Sequence, residues 1–428
     1  MIFPSSPRPE RIGRPDPVPE LLCPAGDMER LTAAVEYGAD AVYLGGTEFG
    51  MRSAPGNFTG EELAEAVKFC HDRGVKVHLT CNTLPRNDEI EDLPGFLAMA
   101  QDVGVDAFII ADIGVLRMAQ KYAPNVDIHM STQAGVVNYI TANALYDMGV
   151  RRVVMAREVS LKEIAEIRRK TPDDLEIECF VHGAMCMSFS GRCLLSNYLT
   201  GRDANRGQCA QPCRWRYHVI EEKRPGQLFE ISEEKDGTYF MNSKDMCMIE
   251  HIPELVDAGI TSFKIEGRAK SAFYVAATTN AYRAAIDGYL ANPSPDYRPE
   301  EWILDEVKKI SYRDYCTGFY FGQPNEDANL YYKGIYIRNW DVMANVLHCE
   351  GNTVTVSQRN RFFEGDTFEV LSPGVRPFTI TAKELYNEEG ERVTVAPNPL
   401  ATIRIVTDQE ISVPAGSILR MPVREKNG

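Results

Sequence analysis

The 428-residue sequence lacks several features that would place it at once in a class of proteins. It has no apolar run of the roughly 18 residues that a membrane-spanning helix needs, so no membrane segment is predicted. Residues 1–18 are rich in proline and lack the apolar centre of a signal peptide. We therefore predict a disordered or wrapping tail over 1–18, and a cytoplasmic protein that makes no membrane contact.

Positive charge is also scarce. The chain has 46 Lys and Arg against 61 Asp and Glu, which gives a formal net charge of −15. Such a charge opposes broad, non-specific binding to nucleic acids. It does not exclude RNA as a partner, because a local basic surface on an acidic protein can still neutralise phosphates.

Cysteine, by contrast, is present in an unusual arrangement. The eleven cysteines should not form disulfides in a cytoplasmic protein, because the cytosol keeps thiols reduced. Metal ligation, catalysis and plain burial therefore remain as explanations. Cys186, Cys193, Cys209 and Cys213 lie close together in the pattern C-x6-C-x15-C-x3-C.

Four neighbouring thiolates can hold a 4Fe-4S cluster or a zinc ion. The six-residue spacing fits the paired knuckles of zinc ribbons poorly. Buried structural cysteines would lie singly in apolar runs, as Cys70 and Cys179 do. The pattern favours an iron–sulfur cluster, with zinc and structural thiols as the alternatives.

Arginines are interleaved with these cysteines. Their charge lowers thiolate pKa values and offsets the negative charge of a cluster. They could also bind phosphates or a dicarboxylate in bidentate fashion, and a solvated basic loop is the alternative. The arginines are Arg192, Arg202, Arg206, Arg214 and Arg216.

Eight short apolar runs recur between residues 20 and 267, and amphipathic helical stretches separate most of them. Strands that alternate with helices indicate a parallel sheet, and eight such units indicate an α/β fold of the TIM-like (β/α)8 barrel type. An open, doubly wound sheet is the alternative. The predicted strands are Glu20–Pro24, Ala41–Gly46, Lys76–Asn82, Ala107–Asp112, Asp127–Thr132, Arg152–Arg157, Glu176–Gly183 and Ser262–Gly267.

The barrel is predicted to occupy residues 19–290. Nearly 80 residues separate its seventh and eighth strands, so 184–260 form a cysteine-rich insertion at the rim where barrel enzymes place their chemistry. Residues 291–338, rich in Pro, Tyr and Asp, are predicted to be a linker or lid. Residues 339–428 alternate apolar and polar positions in short runs, which predicts a small all-β barrel, with a sandwich as the alternative.

Side chains at the carboxyl ends of barrel strands point into the active sites of barrel enzymes. These positions hold a polar set that suits a small anionic ligand beside a redox centre. His182 could donate a proton near Cys186, or serve as a hydrogen-bonded structural histidine. Lys264, inside the last strand, is interpreted as packed or paired. The candidate site residues are Asn82, Gln133, Arg157, His182, Glu266 and Arg268.

Several stretches resemble one known family. Phe180–Trp215, which contains the four clustered cysteines, resembles the signature region of the peptidase U32 family of collagenase-like proteins. LLCPAG, GADAVYLGG, HMSTQ and FKIEGRAKS look like other landmarks of that family, in the same order. Within the family, the chain is most similar to the prephenate-dependent tRNA uridine hydroxylation proteins, which form 5-hydroxyuridine at the wobble position.

The resemblance implies a TIM-like barrel, a 4Fe-4S cluster, prephenate as co-substrate and the tRNA anticodon loop as partner. It implies that Cys186, Cys193, Cys209 and Cys213 ligate the cluster. Cys247 is an alternative to Cys213, because some relatives take their fourth ligand from farther downstream. A paralogous U32-family subunit also stays open as a partner.

Together, the residues and the resemblance lead to the hypothesis of a tRNA uridine 5-hydroxylase. Arg157, Arg206 and Arg268 would bind the two carboxylates of prephenate. Further substrate-binding candidates are Gln133 and Asn82. The catalytic candidates are His182, Glu266 and Arg268.

Other functions stay open: a collagenase-like peptidase, a hydroxylase of another RNA or small aromatic substrate, and a binding protein with a structural cluster. A peptidase needs an activated nucleophile or a metal site, but the sequence contains neither HExxH nor GxSxG. Cys186 with His182 could imitate a Cys–His dyad, which would separate one thiol from three neighbours that a cluster explains better.

Overall fold

The structure is a computed structural model of the chain. The predicted tail falls almost wholly outside the part that it describes, and so do sections of the insertion and of the linker. The described residues are 18–50, 56–186, 188–189, 192–204, 208–215, 219–220, 228–229, 244–322 and 336–424.

Eight parallel strands form a closed barrel. Neighbours pair in chain order, and the last strand closes the ring, with Ser262 opposite Glu20 on one side and Glu178 on the other. This closure confirms the predicted TIM-like barrel, and the open-sheet alternative is wrong. The strands are β1 (Glu20–Pro24), β2 (Ala41–Gly45), β3 (Lys76–Cys81), β4 (Ala107–Ile110), β5 (Asp127–Met130), β6 (Arg152–Val154), β7 (Glu176–Ala184) and β8 (Ser262–Ile265).

Helices connect these strands, and side-chain caps fix where several of them begin. Thr59 and Ser160 each form a capping box with the glutamate three residues later. No helix in the described ranges is both long and apolar enough to cross a membrane. The helices are α1 (Met28–Glu36), α2 (Gly60–His71), α3 (Leu93–Asp102), α4 (Ile113–Tyr122), α5 (Tyr139–Asp147), α6 (Leu161–Arg169), α7 (Leu195–Thr200), α8 (Ile252–Asp257), α9 (Ala272–Ala291) and α10 (Glu301–Glu306).

Most of the predicted strands were too long at their carboxyl ends. The sixth was predicted to reach Arg157 but ends at Val154, and the fourth was predicted to reach Asp112 but ends at Ile110. The polar residues at the rim are not part of the paired strands, and side chains among them form other hydrogen bonds. Asp112, for example, caps α4 by accepting the backbone N–H groups of Gly114 and Val115.

The insertion leaves the barrel at the end of β7, as predicted, and comes back to it. Its short strand Asp245–Cys247 pairs antiparallel with the end of β7, with Met246 opposite Gly183. On its other side this strand pairs with Tyr315–Cys316 from the predicted linker, so that segment packs on the barrel. The insertion therefore begins and ends beside the carboxyl end of β7.

The C-terminal region is a second, closed barrel of six antiparallel strands, which confirms the predicted small all-β barrel. Apolar side chains on alternate positions fill it, as in Val354 and Val356 of its second strand. The strands are β9 (Trp340–Glu350), β10 (Thr353–Gln358), β11 (Thr367–Ser372), β12 (Val375–Tyr386), β13 (Thr402–Thr407) and β14 (Ile418–Pro422).

Buried ionic contacts attach the second barrel to the first. Arg420 of β14, fully buried, binds Glu306 of α10 and Glu369 of β11. Lys309 lies 2.8 Å from the same Glu369. The Tyr37 hydroxyl of α1 adds hydrogen bonds to two backbone carbonyls of the C-terminal barrel. The two domains are therefore held in one fixed arrangement.

A layer of charged side chains fills the interior of the first barrel. Arg152 lies 2.6 Å from Glu20 and 3.0 Å from Glu178, and Glu178 also binds Lys264 at 2.6 Å. Burial alone would raise the pKa of Glu20, but the charge of Arg152 together with hydrogen bonds from Arg152 and Ser262 outweighs burial and lowers that pKa to about 2. These carboxylates are therefore ionised, and the layer is held by paired charges.

Three buried histidines stay neutral in the fold. Burial lowers the pKa of His78 to about 4 and that of His182 to about 3, and places that of His129 well below its usual value. The rings of His78 and His129 meet edge to face, with centroids 4.7 Å apart, next to the charged layer.

Acid should destabilise the protein through these histidines. In the unfolded chain each binds a proton below about pH 6.5, so the unfolded state takes up more protons than the folded state as pH falls. Well below that pH, each buried histidine lowers the free energy of unfolding by about 1.4 kcal/mol per pH unit. Urea unfolding of His129→Gln, followed from about pH 7 to about pH 5, should show lower stability but a shallower pH dependence.

The matched control is His348→Gln, at an exposed histidine of the second barrel. It should leave the pH dependence of unfolding as it is in the unchanged protein. If the free energy of unfolding of His129→Gln depends on pH as steeply as that of the unchanged protein, His129 does not contribute to the loss of stability in acid.

Candidate functional site

A cavity of about 1180 Å³ opens at the carboxyl ends of the barrel strands. Its walls come from three parts of the chain: the strand ends and loops of the first barrel, the cysteine-rich insertion, and β9 and nearby segments of the second barrel. We call the part enclosed by the first barrel and the insertion the barrel mouth, and the part between α1 and the second barrel the groove. The carboxyl end of the strands is where barrel enzymes bind their substrates.

Three cations line the barrel mouth. The Arg157 guanidinium lies 4.0 Å from the centre of the Phe180 ring and donates to the Ala184 carbonyl at 2.9 Å. Arg268 is buried and donates to the Thr80 hydroxyl at 3.0 Å. The third cation, Lys264, is anchored by Glu178 of the charged layer.

Aromatic faces and small residues position these cations. The Lys264 ammonium lies 4.5 Å from the ring centre of Tyr43, on β2. Arg268 passes over Gly45, where a Cβ atom would lie 2.4 Å from its Nη1. Glycine at position 45 therefore makes the room that the guanidinium occupies.

Polar side chains complete the barrel mouth. The Tyr43 hydroxyl lies 3.4 Å from Glu266 Oε2. Asn82 donates its amide N–H to the Gln133 side-chain oxygen at 2.9 Å, and the same oxygen accepts from the Ser131 hydroxyl at 3.2 Å. Five of the six rim residues selected from the sequence therefore meet in one cavity: Asn82, Gln133, Arg157, Glu266 and Arg268.

Positive charge dominates the lining, although the protein is acidic as a whole. Among the residues that the structure describes, seven basic and three acidic ones line the cavity, whereas the chain has 46 basic and 61 acidic residues. The cavity is thus built for an anion. The basic residues are Arg30, Arg157, Lys264, Arg268, Lys270, Arg338 and Arg359, and the acidic ones are Glu29, Glu36 and Glu266.

His182 is the exception among the candidates. Its side chain is buried among Tyr274, Tyr282 and Tyr315, away from the cavity lining. Its Nδ1 lies 3.5 Å from the Tyr282 hydroxyl, and its pKa of about 3 leaves it uncharged at neutral pH. The geometry supports the structural interpretation of His182 over the role of a proton donor.

The four clustered cysteines all line the barrel mouth. Cys186 lies two residues after the end of β7, and Cys193 lies two residues before the start of α7. Cys209 accepts the backbone N–H of Gln211 at 3.4 Å, and the Ser196 hydroxyl of α7 accepts the backbone N–H of Ala210 at 2.9 Å. The second hydrogen bond ties the segment with Cys209 to the helix that follows Cys193.

The cysteines share a cavity but are not gathered into a ligand set. Among the described residues, no group of three or more Cys, His, Asp or Glu lies close enough together to hold one metal ion. An all-thiol donor set of four fits a 4Fe-4S cluster or zinc in number and chemistry. Binding of either group would require the four thiols to lie closer together than they do in this structure.

Cys247, the alternative fourth ligand, lies elsewhere. Its sulfur is 3.9 Å from the Tyr282 hydroxyl, and it is absent from the cavity lining. Burial raises the pKa of this thiol to about 11. Arg206, a substrate-binding candidate, lies outside the described residues, as does Arg216.

Some residues that line the cavity could not be recognised from the sequence, or were given too small a role. Lys264 is paired, as interpreted, but it also faces the cavity. Its spacing of two from Glu266 was a usable signal, because alternate residues of a strand face the same side. Trp340 and Arg359 of the second barrel carried no such signal, because their place in the wall depends on how two domains pack.

The chain was compared with known proteins. It matches Peptidase family U32 over residues 26–330 and Peptidase family U32 C-terminal domain over residues 338–420. It is 40% identical to tRNA hydroxylation protein P1 of Bacillus subtilis, over 92% of this chain and 93% of that protein. It is 33% identical to tRNA hydroxylation protein P of Escherichia coli, over 94% of this chain and 96% of that protein.

A third relative is named for its action on a different RNA. The chain is 38% identical to the 23S rRNA 5-hydroxycytidine C2501 synthase of Escherichia coli, over 71% of this chain but only 44% of that protein. The two family matches together span most of the chain, and the first two relatives align with it over more than nine tenths of its length. The chain belongs to peptidase family U32.

Proposed function

We propose that this protein is an RNA-modifying enzyme that hydroxylates a tRNA uridine at carbon 5, with prephenate as co-substrate and a 4Fe-4S cluster as cofactor. The observation that carries the proposal is the barrel mouth, where three cations and four cysteines among the described residues line one cavity in a protein of net negative charge. The full-length likeness to proteins named for tRNA hydroxylation supports tRNA over ribosomal RNA, because the rRNA synthase is matched over less than half its length.

The cations of the barrel mouth suit a small dicarboxylate. Arg157 and Arg268 each present a planar guanidinium, which pairs with a carboxylate through two parallel hydrogen bonds. Lys264 adds a third positive charge, which Glu178 and the Tyr43 ring hold in place. In this proposal Arg157 and Arg268 each bind one carboxylate of prephenate, and Lys264 raises the local positive potential.

Glu266 is the acidic residue among these cations. Its Oε2 lies 3.4 Å from the Tyr43 hydroxyl, which is also 3.0 Å from the Ile265 carbonyl, and Glu266 lines the cavity just after β8. We assign it the role of proton acceptor. Gln133 and Asn82, which hold each other by a hydrogen bond, would orient the substrate on the opposite wall.

The cysteines would hold the cluster. In the proposal Cys186, Cys193, Cys209 and Cys213 are its ligands, and the cluster supplies one-electron chemistry when bound. The position of all four at the barrel mouth supports a cofactor that acts on the ligand of that cavity.

The RNA would be presented as an unpaired loop. A wobble base lies in the anticodon loop, so little pairing energy is lost when it leaves its stack. Tyr198 and Trp215 of the insertion have 87% and 43% of their surface exposed, beside the cysteines. Aromatic faces of this kind stack on bases, at about 1–3 kcal/mol per base.

The geometry supports the peptidase hypothesis less well. A Cys–His dyad needs its two side chains within hydrogen-bond reach. Cys186 lines the cavity, whereas His182 is enclosed by tyrosines and is not part of the lining. The structure therefore does not pair the only dyad that the sequence suggested.

Replacement of one proposed cluster ligand tests the function. Cys193→Ser should lose iron and sulfide from protein purified without oxygen, and it should fail to restore 5-hydroxyuridine in tRNA of a deletion strain, measured by mass spectrometry of nucleosides. Cys349→Ser, at a cysteine of the second barrel outside the cavity, is the control and should keep both. Persistence of 5-hydroxyuridine in the deletion strain, with no paralogue present, would disprove the tRNA assignment.

A substitution beneath Arg268 tests the dicarboxylate site. Gly45→Ala places a methyl group 2.4 Å from the present position of Arg268 Nη1, so the guanidinium must shift. Since a hydrogen bond to a charged group contributes about 1.5–3 kcal/mol, prephenate affinity should fall by roughly 10- to 100-fold in calorimetric titration. Some loss of thermal stability is also expected, because Arg268 is buried and donates to Thr80, and the added Cβ atom would lie 3.0 Å from Asn57 Oδ1.

The control for this variant is Gly95→Ala, in α3, where an added Cβ atom meets nothing within 4 Å. It should bind prephenate as the unchanged protein does. Unaltered binding by Gly45→Ala would remove Arg268 from the site.

A further inference from the structure

We infer that the groove between α1 and the second barrel is an RNA-binding surface, which holds the nucleotides next to the modified base. The inference rests on the proposed function and adds to it a role for the C-terminal domain. In this arrangement the base enters the barrel mouth while the adjoining strand lies along the groove.

The first observation is the extent of the cavity. At about 1180 Å³ it exceeds the roughly 300–1,000 Å³ of ordinary small-molecule sites. Trp340, Asn345 and Arg359 of the second barrel contribute to its wall. A site for a dicarboxylate and one base alone would not need a wall from another domain.

The second observation is the charge of the groove. Of the seven basic residues that line the cavity, three lie in the barrel mouth, and the other four lie toward the groove: Arg30, Lys270, Arg338 and Arg359. Four further cations outside the mouth suit a phosphate backbone better than a single small anion. Glu29 and Glu36 of α1 are the acidic residues on this path.

The third observation is that two of these arginines hold weak ion pairs. Arg359 contacts Glu29 of α1 at 2.9 Å, across the groove, and Arg338 contacts Asp341 three residues along the chain. The side chains of these arginines are 36% and 65% exposed, and exposed pairs contribute only about 0–1 kcal/mol. Both guanidinium groups can therefore exchange a carboxylate for a phosphate at little cost.

An aromatic ring lies among these cations. Trp340 begins β9 and lines the same wall, with the Lys309 ammonium 5.0 Å from its ring centre. The Trp340 side chain is half-buried, and basic side chains beside an aromatic ring in a groove are the usual elements of single-strand binding. The wall is also rigid, because the buried Arg420 fixes the second barrel to α10.

The test measures how RNA binding depends on salt. An anticodon stem-loop oligonucleotide is titrated with the whole protein at several KCl concentrations, with fluorescence anisotropy as the readout. The double variant Arg338→Ala, Arg359→Ala should bind about tenfold or more weakly, and the slope of log affinity against log salt should become shallower by about one per lost phosphate contact. Prephenate affinity, set by the barrel mouth, should stay unchanged.

Two controls sharpen the test. Arg376→Ala removes an exposed arginine of the same barrel that does not line the cavity, and it should bind RNA as the unchanged protein does. Glu29→Gln removes the carboxylate that competes for Arg359, so it should strengthen RNA binding. An equal loss in Arg376→Ala would mean that general charge, and not the groove, determines the affinity.

The outcomes separate this inference from the proposed function. If the unchanged protein restores 5-hydroxyuridine in the deletion strain and the double variant restores it equally, with unaltered RNA affinity, the groove inference is wrong and the function stands. If the unchanged protein neither binds the stem-loop nor restores the nucleoside, both are wrong.

Discussion

The site depends on the buried charge layer that crosses the interior of the first barrel. Glu178 is fully buried and shared by Arg152 and Lys264. Removal of one partner from a buried ion pair typically costs about 3–5 kcal/mol, because an uncompensated charge remains. Lys264 is therefore kept in the barrel by the balance of charges beneath it, and its ammonium is presented to the cavity as a consequence. A layer that stabilises the barrel also gives the cavity floor its charge.

Close backbone approach is the second constraint. At Gly183, with φ of 107°, a Cβ atom would lie 2.6 Å from the Glu266 carbonyl, so glycine lets the ends of β7 and β8 meet. Gly45 similarly admits the Arg268 guanidinium. Glu266 and Arg268 take their positions from this contact, and the insertion with Cys186 starts one strand away. Anion-binding groups and thiols are neighbours because two glycines leave room for them.

Much of this arrangement could be predicted from the sequence, for a physical reason. Eight β-rich runs separated by helices allow few topologies, and in a parallel barrel all carboxyl ends meet at one rim. Asn82, Arg157 and Glu266 therefore could be assigned to one site without coordinates. The surroundings of the His182 side chain could not be predicted in this way. Its place on the strand puts His182 at the rim, but tyrosines from two distant segments enclose its ring. The wall given by the second barrel depends likewise on Arg420 and Glu306, which are far apart in sequence.

The cysteine arms and the anion site are also connected mechanically. Arg192, next to Cys193, donates from Nε to the Gln133 carbonyl at 2.6 Å, and the Gln133 side chain is held in turn by Asn82 and Ser131. A shift of the segment with Cys193 would therefore act on Gln133 in the wall of the barrel mouth. If a cluster gathers the four thiols, its binding would set the position of Gln133 as well as that of the sulfurs. Cofactor and substrate would then be coupled through one backbone carbonyl, with no need for a change elsewhere in the barrel.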